Sequence, residues 1–377
     1  MRDTIDLQPP LFDRWFVFAV LALALFGLLM VASASVVIAA HQFHHPFHYF
    51  YRQLLYLILG IMIGGIVVQF DLKFWENTGM ILMAGVMLLL ALVLLPGIGR
   101  VVNGSARWIG ITSSLGIEVS ELAKLTTVIY LAGYLVRHHA ELKSNLSAFL
   151  KPIGLFSVVA ILLLKEPDFG STVVIMATAL GMLFLAGINL RYFLLLIITA
   201  STALGILALA APYRLARLTT FLDPWASAYG TGYQLTQSLI AFGRGGWFGL
   251  GLGQGIQKLF YLPEAHTDFL FAVIAEELGF FGILVMTILF TLFVARIFIL
   301  GRRAQLLKRH FAGYIAYGIG FWMALQFAVS IGVNCGILPT KGLTLPLVSY
   351  GGSSMLVTCI AIALLLRIDH ENRAAAP

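Results

Sequence analysis

The chain has 377 residues, of which 60% are hydrophobic and only 11% charged, and its mean hydropathy is +0.94. Soluble domains carry about 25% charged residues, so the composition excludes a soluble globule and indicates an integral membrane protein. The net charge of +7 comes without a clustered basic domain, which argues against nucleic acid and fits loops facing anionic lipid or an anionic substrate.

The start, MRDTIDLQPPLFDRW, is polar for too long to read as a cleavable signal, so the first span is expected to stay as an anchor. A bilayer core takes about 20 apolar residues per helix. Ten candidate spans follow, at 15–40, 53–70, 77–96, 119–136, 152–165, 172–188, 192–212, 269–295, 311–335 and 346–366. An even number puts both termini on one side. Lys and Arg number 14 on that side and nine on the other, and four of the nine lie in the long loop 213–268, where the positive-inside rule weakens. The expectation is an all-α integral membrane fold of about ten transmembrane helices in a single polytopic domain. Tails 1–14 and 367–377 are expected in the cytoplasm, with 213–268 a large extracytoplasmic loop between helices 7 and 8. Cys335 and Cys359 fall inside apolar runs and read as small buried hydrophobes.

In chain order, His41, His44, His45 and His48 come first. Their spacing suits a metal only on a helix; Pro46 interrupts them and no acid is near, so an incidental polar loop is the better reading. Loop 97–118 carries Arg100, Arg107 and Trp108, and Arg–Trp there is either an interfacial anchor or a guanidinium aimed at phosphate. Glu118, Glu121 and Lys124 follow. Glu121 and Lys124 share a helix face, as a structural ion pair or as a site lysine held by an acid. The short spans at 152–165 and 172–188 are split by Lys165-Glu166-Pro167-Asp168-Phe169-Gly170, charged backbone that membrane depth tolerates only against a cavity or protein interior.

In loop 213–268, Arg214 and Arg217 with Leu215, Leu218 and Phe221 form an amphipathic basic segment, and 233–242 reads as a second interfacial helix. The glycines from Gly243 to Gly255 let the backbone approach something closely, but no strand precedes them, so a phosphate-binding loop is unsupported. The segment YLPEAHTDFLFAVIAEE (261–277) gathers Glu264, His266, Asp268, Glu276 and Glu277. Asp268 stands where a polar loop becomes an apolar helix, and partial desolvation there raises a carboxyl pKa toward that of a general base. Glu276 and Glu277 lie deeper and are expected to brace the bundle or position Lys124. Lys341 and the small residues 351–354 close the series, suited to tight helix contact or to an anion.

The segments GYQLTQSLIAFGRG (232–245), YLPEAHTDF (261–269), PTKGLTLPLVSYGGSS (339–354) and LLLRID (364–369) resemble the SEDS family of polytopic cell-wall proteins, nearer its division-associated branch than its elongation branch. The resemblance covers nearly all of the chain from the first span to Arg373. Many members read QPDLGT where this chain has Glu166-Pro-Asp168-Phe-Gly-Ser171, which keeps the aspartate. The resemblance implies a ten-span peptidoglycan glycosyltransferase of the cytoplasmic membrane that adds lipid II units to a glycan strand at the division septum. It implies a class B penicillin-binding protein and other division proteins as partners. A lipid II flippase is the competing reading, and a scaffold that only recruits division partners is a weaker third.

By that resemblance Asp268 is the catalytic residue. Arg107, Lys124, Arg214, Arg217 and Lys341 are candidates for the pyrophosphate, and Glu121, Asp168, His266, Glu264 and Glu277 are expected in support. Oxygen ligands here suit Mg²⁺ or Mn²⁺, but no spacing proves a metal site, and no cofactor is certain.

Overall fold

A computed structural model of the protein describes residues 12–102, 105–110, 116–143, 146–188, 190–209, 220–340 and 342–375. Helices occupy all ten expected positions: α1 (Arg14–Phe43), α2 (His48–Val67), α3 (Leu72–Val93), α4 (Val119–Arg137), α5 (Leu146–Lys165), α6 (Phe169–Leu185), α7 (Leu190–Leu209), α9 (Leu270–Leu306), α10 (His310–Asn334) and α11 (Gly352–Ala374). A shorter α8 (Tyr233–Gly245) lies in the long loop. Eight of these helices are long and apolar enough to cross a bilayer, and α6 is a shorter apolar helix. The protein is a multi-pass, all-α membrane protein.

Helix α4 is buried on nearly every face, against α3, α6 and α10, and it is also the least apolar of the eight. Shielded from lipid, it can carry Glu121 and Lys124. α2 does the opposite: it packs on α1 and α11 and exposes Leu55, Ile58, Met62 and Ile66.

Three departures from the sequence reading have physical causes. Part of loop 97–118 is a small antiparallel sheet, β1 (Gly99–Val102), β2 (Ser105–Gly110) and β3 (Gly116–Glu118), in the order β1-β2-β3. Its first hairpin pairs Val102 with Ser105, and the two residues between them in the sequence, Asn103-Gly104, are by type a strong hairpin signal. The expected span 346–366 starts late, at Gly352, because Leu343, Leu345, Leu347 and Val348 are buried by protein rather than by lipid. Hydropathy cannot tell those two apolar surroundings apart. Third, α9 is broken at Gly279, whose φ of 66° and ψ of −163° leave the helical region.

At the end of the bundle where α1 begins and α11 finishes, charges are knitted together. The Asp13 main-chain N–H donates to Asp369 Oδ2 at 2.6 Å, Arg296 pairs with Asp13, and Arg373 Nε meets Asp369 Oδ2 at 3.0 Å. Arg309 pairs with Glu371, which also takes Arg367 Nε at 2.7 Å. The opposite end holds the sheet, the 166–168 turn, the long loop and the 335–351 segment, and there the candidate residues meet.

Candidate active site

Asp268 closes a compact turn ahead of α9. The Glu264 carbonyl accepts from the N–H groups of Thr267 (3.2 Å) and Phe269 (3.1 Å), and Thr267 Oγ1 donates to Glu264 Oε2 at 2.7 Å. Asn334, in the last turn of α10, fixes the rest. Its Nδ2 donates to the Asp268 carbonyl at 2.9 Å, and its Oδ1 accepts at 3.1 Å from Ala272 N–H, which the Phe269 carbonyl shares at 3.0 Å in the first turn of α9. The main chain of Asp268 is thus pinned. Its half-buried carboxylate points toward Gly342, where a β-carbon would lie 2.7 Å from Oδ2. Burial, reinforced by the neighbouring Glu264 carboxylate and opposed by the charge of Arg107, pushes the Asp268 pKa up to about 7.

Arg107, on β2, clasps the turn between α5 and α6. Nε donates to the Glu166 carbonyl at 3.3 Å, Nη2 to the Pro167 carbonyl at 2.7 Å, and Nη1 stands 3.9 Å from Asp168 Oδ1. About a quarter of its side chain stays exposed (26%), which leaves it able to meet a ligand. Asp168 caps α6 by accepting from Ser171 N–H at 3.1 Å. Around it acids outnumber cations. Burial, then nearby acids, raise both Glu118 and Glu166 to about 8. Glu121 Oε2, Asp168 Oδ2 and both Glu166 carboxyl oxygens lack partners among the described residues.

Lys124 is placed as a strut. Its ammonium is 2.8 Å from Glu121 Oε1 and 3.1 Å from Gln326 Oε1, lies over the Trp322 ring at 5.6 Å, and is almost wholly buried. Gln326 extends the chain, donating to the Thr344 carbonyl at 2.7 Å, so α4 and α10 together hold the 342–350 segment. Glu277 lies apart from Lys124 and pairs with Lys258 at 2.6 Å, while taking the Gly253 N–H (2.9 Å) and the Ser33 hydroxyl (2.6 Å). Glu276 accepts from Ile256 and Gln257 N–H groups at 3.1 and 3.0 Å and meets Arg244 at 3.3 Å. Both acids brace the glycine-rich loop. His266 is buried against Tyr49 (4.4 Å between rings) and Tyr350 (5.6 Å); burial lowers its pKa, against the pull of Glu264.

Arg214, Arg217 and Lys341 lie outside the described residues. Among the described residues no three His, Cys, Asp or Glu side chains are grouped to hold a metal ion. Asn334 and Gln326 escaped the sequence reading. Each is a lone amide inside an apolar run, and such burial requires a partner.

The fold is that of a multi-pass membrane protein that gathers the Asp268 carboxyl, within the electrostatic reach of the Arg107 guanidinium, and their buried polar supports at one end of its bundle. The family model for cell cycle proteins of the FtsW, RodA and SpoVE type matches residues 14–374, and the chain belongs to that family. A Legionella pneumophila protein named probable peptidoglycan glycosyltransferase FtsW is 58% identical over 363 residues, covering 96% of this chain and 92% of that one. A Coxiella burnetii protein of the same name is 52% identical over 96% of this chain and 97% of its own. Among solved structures, a chain from work on how a peptidoglycan synthase complex coordinates polymerisation and crosslinking superposes with TM-score 0.79 at 28% identity, over 96% of this chain and 98% of that one. The Thermus thermophilus rod shape determining protein RodA superposes with TM-score 0.70 at 28% identity, over 96% and 97%.

Proposed function

We propose that the protein is a peptidoglycan glycosyltransferase that polymerises lipid II during septal wall synthesis and releases undecaprenyl pyrophosphate. The carrying observation is Asp268: its main chain is pinned while its carboxyl, with a pKa of about 7, sits within the electrostatic reach of Arg107. In this reading the site end faces outward and both termini are cytoplasmic. The GlcNAc 4-hydroxyl of one lipid II gives its proton to the Asp268 carboxylate as its oxygen bonds to C1 of the MurNAc at the lipid-linked end of the strand. The C1–O bond to the diphosphate breaks, and its electron pair leaves with the diphosphate. One displacement inverts C1, so no carboxylate nucleophile is needed and a good leaving group needs no general acid. A positioned base contributes roughly 10²–10⁴-fold.

Arg107 offers a two-pronged donor to the departing phosphates. Asp168 and the 166–168 turn orient it. Glu264 raises the basicity of Asp268 and His266 packs behind it, while Glu121 with Lys124 supports the floor. The likeness to a chain from a synthase complex that couples polymerisation with crosslinking supports a transpeptidase partner, a class B penicillin-binding protein.

A lipid II flippase is the competing account. Glycan formed from lipid II by the purified protein in detergent, where nothing can be transported, is the expected result. Absence of product, with lipid II movement across vesicles intact, would return the chain to transport.

A further inference from the structure

Asn334 and Gln326, both on α10, are joined by a third buried amide, Gln53, from the second turn of α2. Gln53 is shut away from water on the helix face that also carries Tyr56, Gly60 and Gly64, and an amide so placed needs partners for both its ends. Nε2 donates to the Ser349 carbonyl at 3.1 Å, and Oε1 accepts from the Gly351 N–H at 3.3 Å. Turning the amide over would set donor against donor and oxygen against oxygen, so only this orientation serves both groups. Tyr350, between the two, gives its own N–H to the His266 carbonyl at 3.0 Å. Its ring and that of Tyr49, one turn before Gln53, both pack on the His266 imidazole, at 5.6 and 4.4 Å.

His266 is two residues from Asp268, whose carboxylate points toward Gly342. The 342–351 segment therefore meets this turn twice, with Gly342 before the carboxylate and Tyr350 against His266. Gln326 holds that segment at Thr344, and Gln53 holds it at Ser349 and Gly351. Contact between helices does not account for Gln53. α2 and α11 already touch at Gly60, where a β-carbon would lie 2.7 Å from Cys359 Sγ, and at Gly352, where one would lie 2.5 Å from the Tyr56 ring. We infer that Gln53 is a positioning residue for Asp268: it sets the register of residues 349–351 against His266, and so the aim of the carboxylate two residues on. That this aim serves glycosyl transfer rests on the proposed function.

Gln53→Met nearly keeps the volume and removes both hydrogen bonds, and two readouts on the full-length protein in detergent test it. Hydrogen exchange needs no substrate: amides of residues 262–272 are expected to exchange about tenfold faster, with α9 beyond Gly279 unchanged. In lipid II polymerisation kcat is expected to fall about tenfold or more while KM stays within about twofold, since a misaimed base slows the chemistry and leaves substrate binding alone. Wild-type exchange at 262–272, or an unchanged kcat, would overturn the assignment and leave Gln53 as packing between helices. Faster exchange in the variant, together with wild-type protein that makes no glycan, would uphold the hold on the turn and sink the proposed function instead. Should Gln53→Met fail to fold, Gln53→Asn, whose amide sits one methylene short, is expected to lose about threefold or more in kcat at unchanged KM, and no loss there is the contrary result.

Discussion

At Asp268 the main chain is held and the carboxylate is left to act. Asn334 and the Glu264 turn account for the first, and the raised pKa of about 7 for the second. A base works only when ionised, so kcat/KM is expected to fall about tenfold per pH unit below 7 and to level off above it. Glu264→Gln removes a neighbouring negative charge, lowers the Asp268 pKa, and should move that acid limb to lower pH. A limb that stays in place would assign it to another group. Arg107 carries a second expectation: Arg107→Ala should raise the KM for lipid II about tenfold to a hundredfold, as charge-assisted hydrogen bonds to phosphate are lost, whereas Arg107→Lys keeps the charge and should lose less. Unchanged kinetics in Arg107→Ala would restore the interfacial-anchor reading. At this scale Asp268 drew attention by its place at a loop–helix border, but an aspartate is common there as a helix cap, and it was the family resemblance that singled it out. The strut position of Lys124 was not, since an i,i+3 spacing with Glu121 is the same whether the pair faces a ligand or the trunk of a neighbouring Trp322.

The element that shapes the site most is the broken helix α9. Gly279 leaves the helix at φ 66°, and the glycine-rich loop docks into the break: Phe280 and Phe281 N–H groups donate to the Gly246 and Trp247 carbonyls at 2.9 and 3.1 Å. Gly249, at φ 77°, lies so close that a β-carbon there would stand 2.1 Å from the Glu277 carbonyl oxygen. The sequence showed that backbone must come near something; it could not show that the something was α9, because a glycine within an apolar run does not announce a break. Lys258 and Glu277 lock this docking, and both are buried. Lys258→Met leaves Glu277 buried without its cation and should destabilise the fold by about 3–5 kcal/mol, with Lys258→Met/Glu277→Gln recovering part of it. Thermal unfolding of the purified proteins checks this, and an unchanged Tm in the single variant would show the pair to be idle.

Across the whole molecule, all ten helix positions were legible from hydropathy, because each span must satisfy its backbone inside itself. What hydropathy missed was protein-facing apolar backbone, such as 343–348, and the small sheet, whose strands are too short and polar to stand out. The charge pattern resolves into two ends: a clamp of Asp13, Asp369 and Arg296 where the termini gather, and the cluster of Arg107, Glu166 and Asp168 opposite. Such a frame holds Asp268 and Arg107 at one end of the bundle, where the proposed function has two lipid-linked substrates meet. Its central claim is that Asp268 takes the proton. The most direct test is the rate at which purified wild-type and Asp268→Asn protein polymerise lipid II at pH 7.5, with lipid II binding measured in parallel. A fall of about 10²-fold or more with binding intact is the result expected for loss of a general base. Glycan output from Asp268→Asn close to that of the wild type would contradict the account.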